Sequence, residues 1–365
     1  MSRHVLLLSI LVLLPGCDFG GFCSAPDHRV EELELWSLDL DSSERRLVVD
    51  AFPTGEDGVD RFDYDLVGID PAENEVYFLR HDSLQVLKID SSAPKTLNIE
   101  PPVDKATLSP DGRWIAYTRG SWSDELWLAR TNGSERRRIG ENIRYTDGGN
   151  HFSELTWLQD SQHLAYHQRA DSAENSGVRL GSVSGGEPQV LSDIGSVASL
   201  DVTNDASAVA YVGGIQQDGR RYAYVEEVGS GQRQEIDEGS TVRFVNGGKG
   251  ILYTTDLSNT AKVVSRNDMG SNLVTTLGED SPNSIGEFRV SPSDEKTVLP
   301  VGFTANLYNA TVASPTDLFE TEDFESAESP WDSVLAGYNL PIFAGETSRI
   351  YFLVDKTKID DPCVE

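Results

Sequence analysis

Seven stretches of this chain repeat one pattern, in which a hydrophobic residue is followed by a polar turn and then by a short strand with an aromatic residue near its middle. The repeats begin at Ile69, Leu108, Trp157, Val202, Phe244, Val290 and Phe343. All-strand units that recur at roughly 40–50 residues are typical of β-propellers. The sequence therefore predicts an all-β fold, a β-propeller built from four-stranded antiparallel blades.

The unit at Leu108 shows all four strands of a blade. Its turn, Ser109–Gly112, has a proline that presets φ and a glycine that supplies a positive φ. The later strands are predicted at Trp114–Arg119, Glu125–Arg130 and Glu135–Ile139.

Each end of the chain carries half of such a blade. Glu34–Asp39 and Glu44–Val49 match the third and fourth strands. Leu340–Phe343 and Arg349–Val354 match the first and second. Because an unpaired sheet edge exposes backbone donors and acceptors, we predict that the halves join in a composite closing blade. Residues 31–362 would then form a single propeller domain.

The number of blades depends on the unit at Val290. Its second strand contains Thr297 and Pro300, and proline is rare inside a sheet. The count is seven if this unit is a blade and six if it is not. The acidic stretch Asp317–Asp332 that follows is predicted to be a long surface loop.

The N-terminus has the features of a bacterial export signal. Residues 1–16 contain an apolar run, Val5–Leu14, that is too short to span a bilayer as a helix. It leads into Leu14-Pro15-Gly16-Cys17, which resembles the lipobox of bacterial lipoproteins. The resemblance implies that Cys17 carries a diacylglyceryl group and an acyl chain such as palmitate, with residues 17–30 as lipidated N-terminus and linker. An ordinary signal peptide is the alternative.

This resemblance also implies a cellular location for the protein. The chain would be a membrane-anchored lipoprotein that faces the periplasm or the cell surface, and the choice between inner and outer membrane stays open. An exported chain meets an oxidising compartment, so Cys23 and Cys363 are predicted to form a disulfide. Two free thiols are the alternative.

The charge of the chain excludes some classes of partner. Sixty Asp and Glu against 30 Lys and Arg give a net charge of −30. Such a surface repels nucleic acid and anionic lipid headgroups. We therefore expect no nucleic-acid partner, and contact with a membrane only through the lipid anchor.

The Leu108 unit also carries a family resemblance. Its run from Leu108 to Tyr117, together with Glu125-Leu126-Trp127-Leu128, resembles the repeat of TolB-like β-propellers. The propeller of prolyl-oligopeptidase-type peptidases is built from the same repeat. The resemblance implies the fold and a setting in the cell envelope. The sequence has no Gly-x-Ser-x-Gly elbow, which disfavours a peptidase.

Candidate binding residues lie in one polar turn before an inner strand. This turn contains Asp147, Asn150 and His151, and Arg144 lies just before it. In a propeller such connections line one mouth of the central channel, so we expect a weak binding site there; whether it holds a metal is left open. His163 and His167 are four residues apart on a predicted strand, about 13 Å, so a joint metal site is not expected.

Two functions of different classes fit these observations. The favoured one is a membrane-anchored, non-catalytic binding or scaffold propeller of the bacterial envelope, with a protein or glycan partner and no cofactor. The alternative is a metal-dependent small-molecule hydrolase or lactonase with its site in the channel. Such an enzyme would need several ligands that converge on the channel from different blades.

Overall fold

The computed structural model describes most of the repeat region. The described residues are 27–42, 44–52, 64–72, 74–91, 93–120, 125–143, 155–169, 176–213, 219–245, 247–255, 260–265, 274–277, 289–290, 296–301, 304–309, 312–320, 331–335, 342–343 and 349–360. Within them the regular structure is strand, arranged in seven antiparallel sheets. No helix in these ranges has the length and hydropathy needed to cross a membrane. The predicted all-β propeller class is confirmed.

Six sheets follow one another along the chain, and we number them sheet 1 to sheet 6. Sheet 1 contains β3 (Tyr64–Ile69), β4 (Glu75–Arg80), β5 (Ser83–Lys88) and β6 (Lys95–Thr96). Sheet 2 contains β7 (Val103–Leu108), β8 (Trp114–Arg119), β9 (Glu125–Arg130) and β10 (Arg137–Glu141). Sheet 3 contains β11 (Thr156–Trp157), β12 (His163–Gln168), β13 (Gly177–Ser182) and β14 (Gln189–Ser192).

Sheets 4 to 6 have the same order of four strands. Sheet 4 contains β15 (Val197–Val202), β16 (Ala208–Gly213), β17 (Tyr222–Glu227) and β18 (Gln232–Glu238). Sheet 5 contains β19 (Thr241–Val245), β20 (Gly250–Thr255), β21 (Thr260–Ser265) and β22 (Val274–Leu277). Sheet 6 contains β23 (Arg289–Val290), β24 (Lys296–Val301), β25 (Thr304–Asn309) and β26 (Val312–Glu320). We call the first strand of each sheet the inner strand and the fourth the outer strand.

The seventh sheet, which we call the closing sheet, combines both ends of the described chain. It contains β1 (Asp27–Asp39), β2 (Arg45–Phe52), β27 (Trp331–Leu335), β28 (Ile342–Phe343) and β29 (Arg349–Asp360). β1 pairs antiparallel with β29 from Asp39↔Arg349 to Asp27↔Asp360. The composite closing blade predicted from the two half-repeats is therefore present.

The Val290 unit, on which the number of blades depended, forms sheet 6. In the described residues β23 pairs with β24 at Thr297 and Val298. Pro300 lies farther along β24 and pairs with Ala305 of β25.

The predicted loop Asp317–Asp332 was wrong at both of its ends. Asp317–Glu320 completes the outer strand β26, and Trp331 and Asp332 begin β27; residues 321–330 lie outside the described ranges. Asp317–Glu320 has two adjacent apolar residues between two charged ones, so it lacks the alternation by which strands are recognised in a sequence. Both strands are held by backbone pairing, β26 with β25 and β27 with the extended part of β29.

The hydrophobic core lies between successive sheets. The eighth residue of the repeat is fully buried in six units, at Val76, Ile115, Leu164, Val209, Ile251 and Ile350. The tenth is an equally buried aromatic, at Phe78, Tyr117, Tyr166, Tyr211, Tyr253 and Phe352. Five clusters each join residues of two neighbouring sheets, from the closing sheet and sheet 1 to sheets 4 and 5. Each large apolar side chain buried in this way contributes about 1.5–3 kcal/mol.

Four of the turns that join an inner strand to the second strand fold around an aspartate. In sheet 2, Oδ1 of Asp111 accepts hydrogen bonds from Oγ of Ser109 at 2.7 Å and from N of Arg113 at 3.1 Å. Asp70, Asp160 and Asp205 accept backbone N–H groups in the same way, at 2.7–3.0 Å. We call the side of the ring with these turns the turn face, and the opposite side, where outer strands lead into the next inner strands, the loop face.

Neighbouring turns on the turn face also contact one another. The N–H of Asp111 donates to Oγ of Ser161 at 3.0 Å, and the N–H of Gln159 donates to Oδ1 of Asn204 at 3.3 Å. Gly112 lies so close to Pro71 of sheet 1 that an added Cβ would overlap the proline ring. The turns of sheets 1 to 4 thus form a continuous row of contacts.

We predict that Gly112→Ala destabilises the fold more than Gly231→Ala. Both glycines have a positive φ, +69° and +63°, so both substitutions carry the left-handed penalty of about 1–2 kcal/mol. A Cβ at Gly231 meets nothing within 4 Å, whereas one at Gly112 overlaps Pro71, which adds an overpacking cost of about 1–3 kcal/mol. Urea unfolding of the two variants measures the difference. Equal losses would contradict the turn contacts.

Candidate functional site

The site residues predicted from the sequence lie outside the described residues. They are the binding residues Arg144, Asp147, Asn150 and His151 and the cysteines Cys17, Cys23 and Cys363. In the sequence, residues 144–154 connect β10 to β11. The candidate site is therefore described from the inner strands, which the structure does describe.

The inner strands carry charged residues that the sequence analysis missed. These are Asp65 on β3, Asp104 and Lys105 on β7, Asp201 on β15 and Arg243 on β19. Asp65 is exposed and the other four are half-buried. Inner strands surround the channel of a propeller, so these residues lie on the strands nearest the channel, in four sheets that together carry both signs of charge. In the sequence, these residues could have been recognised as charges within the first strand of a repeat, which is otherwise largely apolar.

Two of these residues are fixed by hydrogen bonds between sheets 4 and 5. Oδ2 of Asp201 accepts the N–H of Phe244 at 2.7 Å. Nη1 of Arg243 donates to Oγ of Ser199 in sheet 4 at 3.1 Å, and within its own strand to the carbonyl of Val242 at 2.7 Å. Both side chains are therefore held in place before any ligand arrives, which favours specific binding.

Sheets 2, 3 and 4 are connected through the short inner strand β11. Nε1 of Trp157 donates to the carbonyl of Thr107 at 3.3 Å. Oγ1 of Thr156 lies 3.4 Å from the carbonyl of Leu200, so it makes a weaker bond. A two-residue strand is thus tied to both of its neighbours, and the channel wall is continuous across these sheets.

The two histidines of β12 have separate roles. His163 is exposed, and its Nδ1 contacts Oδ2 of Asp160 in the adjoining turn. His167 is buried, with Nε2 3.1 Å from the carbonyl of Ile194. Burial lowers the pKa of His167, so the ring is neutral at pH 7 and donates through Nε2.

Buried tyrosines connect the second strands to the preceding sheets. The hydroxyl of Tyr166 donates to the carbonyl of Ile139 at 3.0 Å. The hydroxyl of Tyr253 donates to Oδ2 of Asp237 at 3.2 Å. Nζ of Lys262 donates to the same oxygen at 3.1 Å. Burial raises the pKa of Tyr166 to about 12 and also raises that of Tyr253. These hydroxyls stay protonated and serve as hydrogen-bond donors between sheets.

The chemistry of the inner-strand residues is that of polar recognition. Carboxylates, a lysine and an arginine on rigid strands can accept and donate hydrogen bonds to a polar ligand. Among the residues that the structure describes, no three His, Cys, Asp or Glu side chains are grouped so as to hold a metal ion.

Comparison with known proteins gives no match at the level of sequence families. No protein-family model matches the chain, and no curated protein does.

Solved structures, in contrast, include similar folds. A protein assigned as TolB from Agrobacterium tumefaciens has 11% sequence identity, a TM-score of 0.51 and coverage of 90% of this chain and 99% of its own. A prolyl endopeptidase has 14% identity and a TM-score of 0.53, over 80% of this chain and 46% of its own. At such low identity the likeness concerns the fold alone. The chain has the β-propeller fold of TolB-like proteins, as its repeat predicts.

Proposed function

We propose that this chain is a membrane-anchored, non-catalytic binding or scaffold propeller of the bacterial cell envelope. The observation that carries the proposal is the order of two features along the chain. A lipobox-like Leu14–Cys17 run is followed, ten residues after Cys17, by the first strand of a closed TolB-like ring. The anchor holds the protein at the membrane, and the ring provides a rigid recognition surface.

The partner of this propeller is a protein or glycan that presents polar groups. Asp65 and Asp104 each lie second in their inner strands, close to the loop face. The predicted residues Asp147 and His151 lie between β10 and β11 in the sequence. Hydroxyl-rich sugars and polar peptide segments both match a mouth lined by carboxylates and cations.

We predict that a photo-crosslinking residue at Asp104 captures a partner in the native host. A crosslinker at Glu187, an exposed residue of a turn-face turn in sheet 3, is the matched control. Mass spectrometry of the products identifies the captured protein or glycan. Capture from residue 104 alone supports binding at the loop-face mouth, and capture from neither position, or only from residue 187, contradicts it.

We also propose that Cys17 is acylated, because two or more acyl chains anchor a protein stably where one chain does not. Cys17→Ala should move the protein from the membrane fraction to the soluble fraction, whereas Cys23→Ala should leave it on the membrane. Fractionation and mass spectrometry of the N-terminal peptide are the measurements. A Cys17→Ala protein that still pellets with membranes, without any lipid-modified peptide in the wild type, would refute the anchor.

A disulfide between Cys23 and Cys363 belongs to the same proposal. It is supported by the pairing of Asp27 with Asp360, because Cys23 lies four residues before the first and Cys363 three residues after the second. Because Asp27 and Asp360 are paired, the two tails begin side by side. Tails of four and three residues are long enough to bring Cys23 and Cys363 together.

We expect both thiols to resist alkylation in the native, non-reduced protein and to react after reduction. Reduction should also lower the melting temperature, since the chain-entropy model gives on the order of 5 kcal/mol for so long a loop. Quantitative alkylation of both residues before reduction would exclude the bond.

A further inference from the structure

The two strands that close the ring are about twice as long as their counterparts. β1 has 13 residues and β29 has 12, whereas the equivalent strands of sheet 2, β9 and β8, have six each. Their pairing continues beyond the ring to Asp27↔Asp360. Within the described residues, the pairing of the outer strand β2 with β1 reaches Leu33, which lies opposite Phe52.

The excess length extends from the loop face. Arg349 begins β29 at the turn face, where Nη2 of this residue lies 3.4 Å from Oδ2 of Asp39. β29 therefore ends, at Asp360, beyond the opposite face. We call the paired segments 27–33, 331–335 and 354–360 the arm; its third strand is β27, which pairs with β29 from Trp331↔Lys358 to Leu335↔Val354. Six extra residues at about 3.3 Å each give an arm of about 20 Å.

We propose that this arm is a spacer that holds the ring off the membrane and directs the loop face toward the bilayer carrying Cys17. The inference rests on the proposed lipid anchor. Ten residue steps separate Cys17 from Asp27, the tip of the arm, and they span at most about 35 Å. With the proposed disulfide in place, only the six steps to Cys23 remain free, at most about 21 Å. The lipid is thus tethered to the tip of the arm.

The charge of the arm favours a spacer over a segment that lies flat on the surface. Its sequence contains three basic residues, Arg29, Lys356 and Lys358, against six acidic ones, Asp27, Glu31, Glu32, Asp332, Asp355 and Asp360, a balance of −3. Anionic headgroups attract basic segments and repel acidic ones. A ligand that reaches Asp65 and Asp104 then enters from the space between ring and bilayer, and the turn face is open to the compartment.

The test compares two dye positions on opposite faces of sheet 3. Glu187 is exposed in the turn between β13 and β14, on the turn face. Gly195 lies on the loop face between β14 and β15, where an added Cβ meets nothing within 4 Å. The full lipoprotein, labelled at one position through a non-canonical residue, is reconstituted into vesicles that contain an acceptor-labelled lipid.

We expect higher energy transfer from residue 195 than from residue 187, with distances to the membrane that differ by about 20 Å, the length of one six-residue strand. Equal transfer from both positions, or more from residue 187, would overturn the inference. As a matched control, about 15 Gly and Ser residues inserted after Asp18 should lower the transfer from residue 195.

A second sample separates this inference from the proposed anchor. The chain from residue 18 onward, with an N-terminal hexahistidine tag, is bound to vesicles that contain a nickel-chelating lipid. A difference between the dyes here, together with a native chain that does not associate with vesicles, supports the arm and refutes lipidation. No difference in this sample refutes the arm, whatever the native chain does.

Discussion

The antiparallel pairing of β1 with β29 is the interaction on which the ring depends. If the stacked sheets did not form a closed ring, the first and last sheets would each expose one face. β29 would also lack a pairing partner along one edge. Pairing residues from opposite ends of the chain removes that edge. It also seats Leu35 and Tyr351 of the closing sheet against Val76 and Phe78 of sheet 1. Backbone pairing and apolar burial therefore close the ring together.

Closure fixes the neighbours of every sheet, and the polar contacts between sheets build on that order. Oδ2 of Asp201 reaches the N–H of Phe244, and the hydroxyl of Tyr166 reaches the carbonyl of Ile139, because adjacent sheets keep one spacing and one direction. Side chains of the inner strands that are held in this way, such as Asp201, are already organised for binding, which reduces the entropy lost when a ligand is captured. The same order gives the ring two different faces, and both ends of the described chain leave from one of them.

The sequence was sufficient for features that repeat and insufficient for features that depend on the assembled ring. The Leu108 unit predicted its turn and strands because each is encoded locally, by a proline, a glycine and alternating residues. β27 and the first half of β1 were missed because backbone partners hold them, and their side chains carry no strand pattern. The sequence did not reveal that Asp104 and Arg243 both lie on inner strands, since 139 positions separate them and only the strand order within the sheets shows it.

Hydrogen–deuterium exchange of the native protein tests the closure most directly. If the pairing of β1 with β29 holds the ring together, the amides of residues 34–39 and 349–354 should exchange as slowly as those of β20 in sheet 5. All three should then open with the same free energy as global unfolding. Rapid exchange of both terminal segments, while β20 remains protected, would show that the ring is stable without this pairing and would contradict the account.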